Sequence, residues 1–200
     1  EGWEASLVLD RGDVGIWTVK AFPVFPQYTG PQVVGLDDEG RLWILVSYSG
    51  KWTPFSAVDD RGWLGGLDHG DVDPRFEGAE LYAGSETGNV YQVLAYPNGA
   101  TDHRLIATFP GREVHTVVAC DLTSETPGGD VLVFTNPGGM ARLSPSGPHG
   151  TFETTWVETF PGRVRDAVVL PDGSIATVSR TGELALLAFA DGEHEWRVVH

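Results

Sequence analysis

Lysine occurs only twice in these 200 residues, as Lys20 and Lys51, and 13 basic side chains face 28 acidic ones, giving a formal charge of −15. A surface this negative repels phosphate backbones and anionic lipid heads, which argues against nucleic acid and membrane surfaces as partners. Cys120 is the one cysteine, so no intrachain disulfide can form. Its setting in Val117-Val118-Ala119-Cys120 is that of a buried, inert thiol. No run approaches the roughly 18 apolar residues of a membrane span, and no helical period lasts beyond a turn or two. His-x-x-x-His, Cys-x-x-Cys and Gly-x-Ser-x-Gly spacings are missing, so zinc and a nucleophile elbow have no support. No initiator methionine opens the chain, which leaves room for a removed signal segment, and a secreted or extracytoplasmic location is favoured.

Glycine and proline are what the chain has in quantity, 26 and 13 residues, and they punctuate short alternating apolar runs. That is the pattern of short strands joined by tight turns, and the expected class is all-β.

The longest self-similarity organises the rest. Asp71, Gly78-Ala79-Glu80-Leu81-Tyr82-Ala83 and Gly88-Asn89-Val90-Tyr91-Gln92-Val93 return as Asp121, Gly128-Gly129-Asp130-Val131-Leu132-Val133 and Gly138-Gly139-Met140-Ala141-Arg142-Leu143. Each copy reads as an acidic loop, a strand, a glycine turn and a second strand, a unit that cannot bury both faces alone. The expected fold is a small β-propeller of about five blades, each of three to four antiparallel strands, with four or six blades as alternatives. Its units run 1–28, 29–62, 63–112, 113–163 and 164–200, all within one domain. The unit ends Phe22-Pro23, Phe109-Pro110-Gly111-Arg112 and Phe160-Pro161-Gly162-Arg163 echo one another and support that division.

At Gly70-Asp71-Val72-Asp73 and Glu77-Gly78-Ala79-Glu80-Leu81 the chain resembles the FG-GAP/VCBS family of propeller repeats, and its wording is similar to rhamnogalacturonan-lyase-type repeats. The resemblance extends to Cys120-Asp121-Leu122-Thr123 and, more faintly, to Leu170-Pro171-Asp172-Gly173. It implies Ca²⁺ held by Asp71, Asp73, Glu77 and Glu80, since calcium takes about six to eight oxygen ligands. This chain departs from the family by inserting Pro74-Arg75-Phe76 before Glu77 and by carrying Thr123 where the second Asp would stand. Family members include polysaccharide lyases and lectin-like modules, so the resemblance also implies a sugar ligand or lyase chemistry. No organic cofactor is expected.

Inner strands of a propeller line its channel. Aligning units on Asp71, Asp121 and Asp172 brings Gly65, His115 and Asp166 to equivalent positions, with Arg165 beside the last and with His69 and Trp63 on the strand that leads to Asp71. His69, His115, Asp166 and Arg165 are the candidate acid/base and oxyanion groups, and Trp63 and Glu113 the candidate ligand-binding ones. The plainer alternative is that both histidines satisfy carbonyls of the wall. Three functions follow: a module binding carbohydrate or a similar polar ligand in the channel, a small lyase, dehydratase or isomerase, or a protein-interaction scaffold.

Overall fold

The computed structural model describes residues 9–10, 12–60, 62, 64–122, 128–148, 150–158, 163–190 and 193–198. Sixteen strands follow in order: β1 (Ile16–Phe22), β2 (Gln32–Asp37), β3 (Arg41–Tyr48), β4 (Lys51–Asp59), β5 (Leu64–Gly70), β6 (Ala79–Ser85), β7 (Asn89–Ala95) and β8 (Thr101–Thr108); then β9 (Glu113–Cys120), β10 (Asp130–Asn136), β11 (Gly139–Pro145), β12 (Phe152–Glu158), β13 (Val164–Val169), β14 (Ile175–Ser179), β15 (Leu184–Ala190) and β16 (Glu193–Val198). They form four antiparallel meanders of four strands, each made from four consecutive strands. No helix of the described residues is long and apolar enough to cross a membrane.

Four sheets is the lower of the expected counts, and the difference lies at the N-terminus. The described strands of units 1–28 and 29–62 form one sheet, because β1 pairs with β2 from Phe22↔Gln32 to Ile16↔Asp37. The Phe22-Pro23 break that resembled the end of an outer strand ends an inner one. Val24 and Phe25 after it are buried at 0% and 1% exposure, and the Phe25 N–H donates to Gln32 Oε1 at 2.6 Å.

Period-two alternation places one apolar face of each sheet against its neighbour. Val34, Leu36 and Ile44 of the first sheet meet Leu67, Leu81 and Val93 of the second. The second sheet's opposite face, with Tyr82, Val90 and Ile106, meets Val117, Val131 and Val133 of the third. The third turns Val118, Leu132 and Phe134 to Ala167, Ile175 and Leu187 of the fourth. Three cores therefore join four sheets in chain order, and no comparable contact joins the fourth to the first among the described residues.

The innermost strands β1, β5, β9 and β13 are also fastened side by side. Thr18 Oγ1 donates to the Gly65 carbonyl at 2.9 Å, the Ala119 N–H donates to Asp68 Oδ2 at 2.9 Å, and Thr116 Oγ1 donates to the Val164 carbonyl at 3.3 Å. Such close passage needs a residue without Cβ. A Cβ on Gly66 would stand 2.9 Å from Val117 N and 3.0 Å from Thr116 Cα.

Candidate functional site

Each innermost strand carries one register shift against its neighbour: between Ile16 and Thr18, Leu64 and Gly66, Val114 and Thr116, and Val164 and Asp166. A bulge leaves one residue out of the ladder and re-aims it. The four residues are Trp17, Gly65, His115 and Arg165, and all four line one open cleft of about 320 Å³. Sequence alignment placed Asp166 opposite His115; the pairing register places Arg165 there, one residue earlier, with Asp166 back in the ladder opposite Val178. Asp166 still borders the cleft, and its Oδ1 accepts the Ala167 N–H at 2.9 Å.

His115 is only 7% exposed. Its Nε2 lies 2.7 Å from Glu113 Oε2 and its Nδ1 lies 2.8 Å from Arg163 Nη2. A guanidinium can only donate, so Nδ1 accepts and the ring proton sits on Nε2, donated to Glu113. Burial pushes the His115 pKa down, the Glu113 hydrogen bond opposes it, and the positive charges of Arg163 and Arg165 reinforce the fall. Glu113 is fixed from the other side by the Asn136 amide at 2.9 Å, and hydrogen bonds from Asn136 and His115 hold its carboxyl below the usual range. The result is a neutral imidazole whose accepting nitrogen is already used.

His69 is not part of this group. It lies four residues beyond Gly65, roughly 13 Å along a strand, and stacks on Phe22 with ring centroids 4.1 Å apart. Burial pushes its pKa down, Asp68 opposes that, and its Nδ1 is buried without a hydrogen-bond partner. Trp63 lies outside the described residues.

The acidic loop resolves into a different arrangement from a cation cage. Asp73, 1% exposed, takes both arms of Arg75, through Nε to Oδ1 and through Nη2 to Oδ2 at 2.9 Å. Burial works against its ionisation, but those bonds outweigh burial and hold the Asp73 pKa below its ordinary value. Arg75 Nη1 reaches on to the carbonyls of Ser146, Gly147 and Pro148 in the third sheet at 3.0, 2.8 and 3.1 Å. Glu80, also 1% exposed, accepts the N–H groups of Val72 and Asp73, at 3.1 and 3.0 Å, and the Tyr82 hydroxyl. Burial raises its pKa despite those bonds. Asp71 and Glu77 border an open surface cleft with Phe76 and Gly128. Among the described residues no three His, Cys, Asp or Glu side chains converge as a metal site requires. The inserted Arg75, absent from the family pattern, supplies the positive charge of this loop.

Sequence reasoning missed Trp17, which lines the cleft, and Arg163 and Asn136, which hold His115 and Glu113 in place. The tight turns carried the missing signal for Trp17. Gly40 and Gly88 close equivalent β2–β3 and β6–β7 turns with φ of 82° and 85°, and each turn's carbonyl accepts the N–H that follows its sheet's outer strand, Asp60 on Gly40 and Phe109 on Gly88, both at 2.8 Å. The separation of those glycines is the separation of Trp17 from Gly65.

No family model matches the chain, and no curated protein matches it. Among solved structures it is similar to the WD40 domain of SCAP from fission yeast, with a TM-score of 0.53 and 10% identity over 100% of this chain and 47% of that one. The chain has the β-propeller fold. It spans about half the length of that propeller chain, and its four sheets are four blades. At this identity the likeness is one of fold alone, and it does not extend to the FG-GAP/VCBS family.

Proposed function

We propose that this propeller segment is a protein-interaction module whose inner-strand cleft takes an extended segment of a partner protein. One observation carries the reading: Trp17 and Val19 stand 65% and 61% exposed on β1, in the same cleft as the charged Arg165 and Asp166. Exposed apolar side chains rimmed by charge suit a peptide, whose side chains alternate in the same way. Catalysis is less well supported. The lone pair of His115 is committed to Arg163, and His69 lies elsewhere, so neither histidine is placed as a general base in the cleft. A saccharide stacked on Trp17 is the second reading, favoured by the exposure of that ring.

The test is panning of a random peptide library against the purified chain, with a glycan array beside it. Enriched peptides should lose at least about tenfold in affinity, or 1.4 kcal/mol, on Trp17→Ala or Arg165→Glu, with unchanged melting. Peptides indifferent to both changes would sink the reading, and glycans sensitive to Trp17→Ala would replace it with the saccharide one.

A further inference from the structure

Charge is answered unevenly around the inner-strand cleft. The carboxylates there have partners within the chain. Asp68 sits 3.9 Å from Lys20 Nζ and accepts the Ala119 N–H, Glu113 is held by Asn136 and His115, and Asp166 accepts the Ala167 N–H. Arg165 differs. It is exposed and lines the cleft, and among the described residues its guanidinium makes no hydrogen bond or ion pair. A guanidinium carries five donors and no acceptor, and the β13 bulge aims these five away from the ladder. Two more guanidinium groups stand behind it. The Arg180 N–H donates to the Arg163 carbonyl at 2.8 Å, which ties the β14–β15 turn to the start of β13. Burial lowers the Arg163 pKa, Glu113 opposes that, and the charges of Arg165 and Arg180 lower it further. Three of the 13 basic side chains thus gather at one corner of a chain of charge −15.

We infer that the partner segment is acidic, setting an apolar side chain on Trp17 and Val19 and, further along, an aspartate or glutamate carboxylate on Arg165. This rests on the reading that the cleft takes an extended peptide, and it adds the chemistry of what enters. The innermost strands follow one another as β1, β5, β9 and β13, so the cleft runs from apolar side chains on β1, past the bare backbone of Gly65 and Gly66, to the cation on β13. A planar carboxylate matches the two-pronged edge of a guanidinium, and it is the group that this corner lacks. The molecule as a whole has the opposite preference. A surface of charge −15 draws basic chains toward it, so the local charge and the global charge call for different peptides.

The probe is a synthetic random peptide library, acetylated and amidated at its ends so that only side chains carry charge, selected on the purified chain. Enriched sequences should hold an Asp or Glu together with an apolar residue. Replacing that Asp or Glu by Asn or Gln should weaken binding to the wild-type chain about tenfold. The same replacement should leave affinity for the Arg165→Gln chain unchanged, because the carboxylate's partner is already gone. Arg165→Gln removes no hydrogen bond or ion pair among the described residues, and an unchanged melting curve checks that the variant folds. Arg165→Glu should turn the preference at that peptide position to Lys or Arg. Enriched peptides that are neutral or basic overturn the inference and leave the peptide reading standing. Acidic peptides whose tenfold loss persists in Arg165→Gln also overturn it, since their carboxylate is then held elsewhere. No enrichment of any peptide overturns the inference together with the reading beneath it.

Discussion

Arg163 Nη2 sits 2.8 Å from His115 Nδ1 and so occupies the lone pair through which that histidine would take a proton. Protonating the ring therefore means breaking a hydrogen bond and placing a third positive charge between Arg163 and Arg165, against the offset from Glu113.

Stability should consequently fall as the solution is acidified. The folded-state pKa of His115 is depressed, so below the ordinary value of about 6.5 the unfolded chain binds a proton that the folded chain refuses. Its contribution is full above that value and is lost as pH falls toward the folded one. The urea midpoint should drop between about pH 7.5 and pH 5.5, and His115→Gln should make the drop shallower. His69 shifts in the same direction and the raised Asp68 and Glu80 in the opposite one, but all three are common to both proteins. An identical drop in the variant would remove the claim.

Arg75→Ala should be among the most damaging single changes away from the cores. It leaves the Asp73 carboxylate at 1% exposure without its countercharge, and breaking a buried pair from one side costs about 3–5 kcal/mol. Asp73→Asn in the same chain should recover part of that loss. Denaturant melts of the two single variants and the double variant measure the coupling, and strictly additive losses would contradict it.

Calcium and its chelators should leave the melting temperature unchanged. Both oxygens of Asp73 are taken by Arg75, and Glu80 is taken by two N–H groups and Tyr82. A ligand that binds only the folded state must raise its stability. A rise in melting temperature on adding calcium would therefore return the acidic loop to the role its resemblance implied.

Gly66→Val should destabilise by about 3 kcal/mol, the upper end for overpacking. The atoms met by a Cβ there, Val117 N and Thr116 Cα, are backbone and cannot rotate aside. Gly173→Ala is the control for simply losing a glycine: at φ of 82° it bears the backbone strain of a left-handed turn, but with nothing within 4 Å of its Cβ it should cost clearly less. Equal losses at the two positions would mean that strand proximity is not what Gly66 serves.

Strand positions were readable from residue pattern because alternation and turn glycines are local. The stretches Val114 to Cys120 and Arg41 to Ser47 fall within β9 and β3 as expected. Blade membership was not local. Phe22-Pro23 looks like Phe109-Pro110 in composition, yet β1 is an inner strand held by Thr18 on Gly65, and only pairing across the sheet reveals that. The candidate site was half legible for a related reason. His115 and Arg165 do share the cleft, but their equivalence depends on where each ladder skips a residue, which composition does not encode. Arg163 closes the repeated string Phe160-Pro161-Gly162-Arg163, which marked a unit end and carried no sign of a contact with His115.

The skipped residues have an evolutionary corollary. Pairing resumes on both sides of Trp17, Gly65, His115 and Arg165 whatever those side chains are, so selection can rewrite the chemistry of the inner wall one blade at a time without renegotiating the architecture that displays it. An aromatic, a bare backbone, an imidazole and a guanidinium already stand there together, and a saturation library confined to these four codons would change what the protein recognises while sparing how it folds.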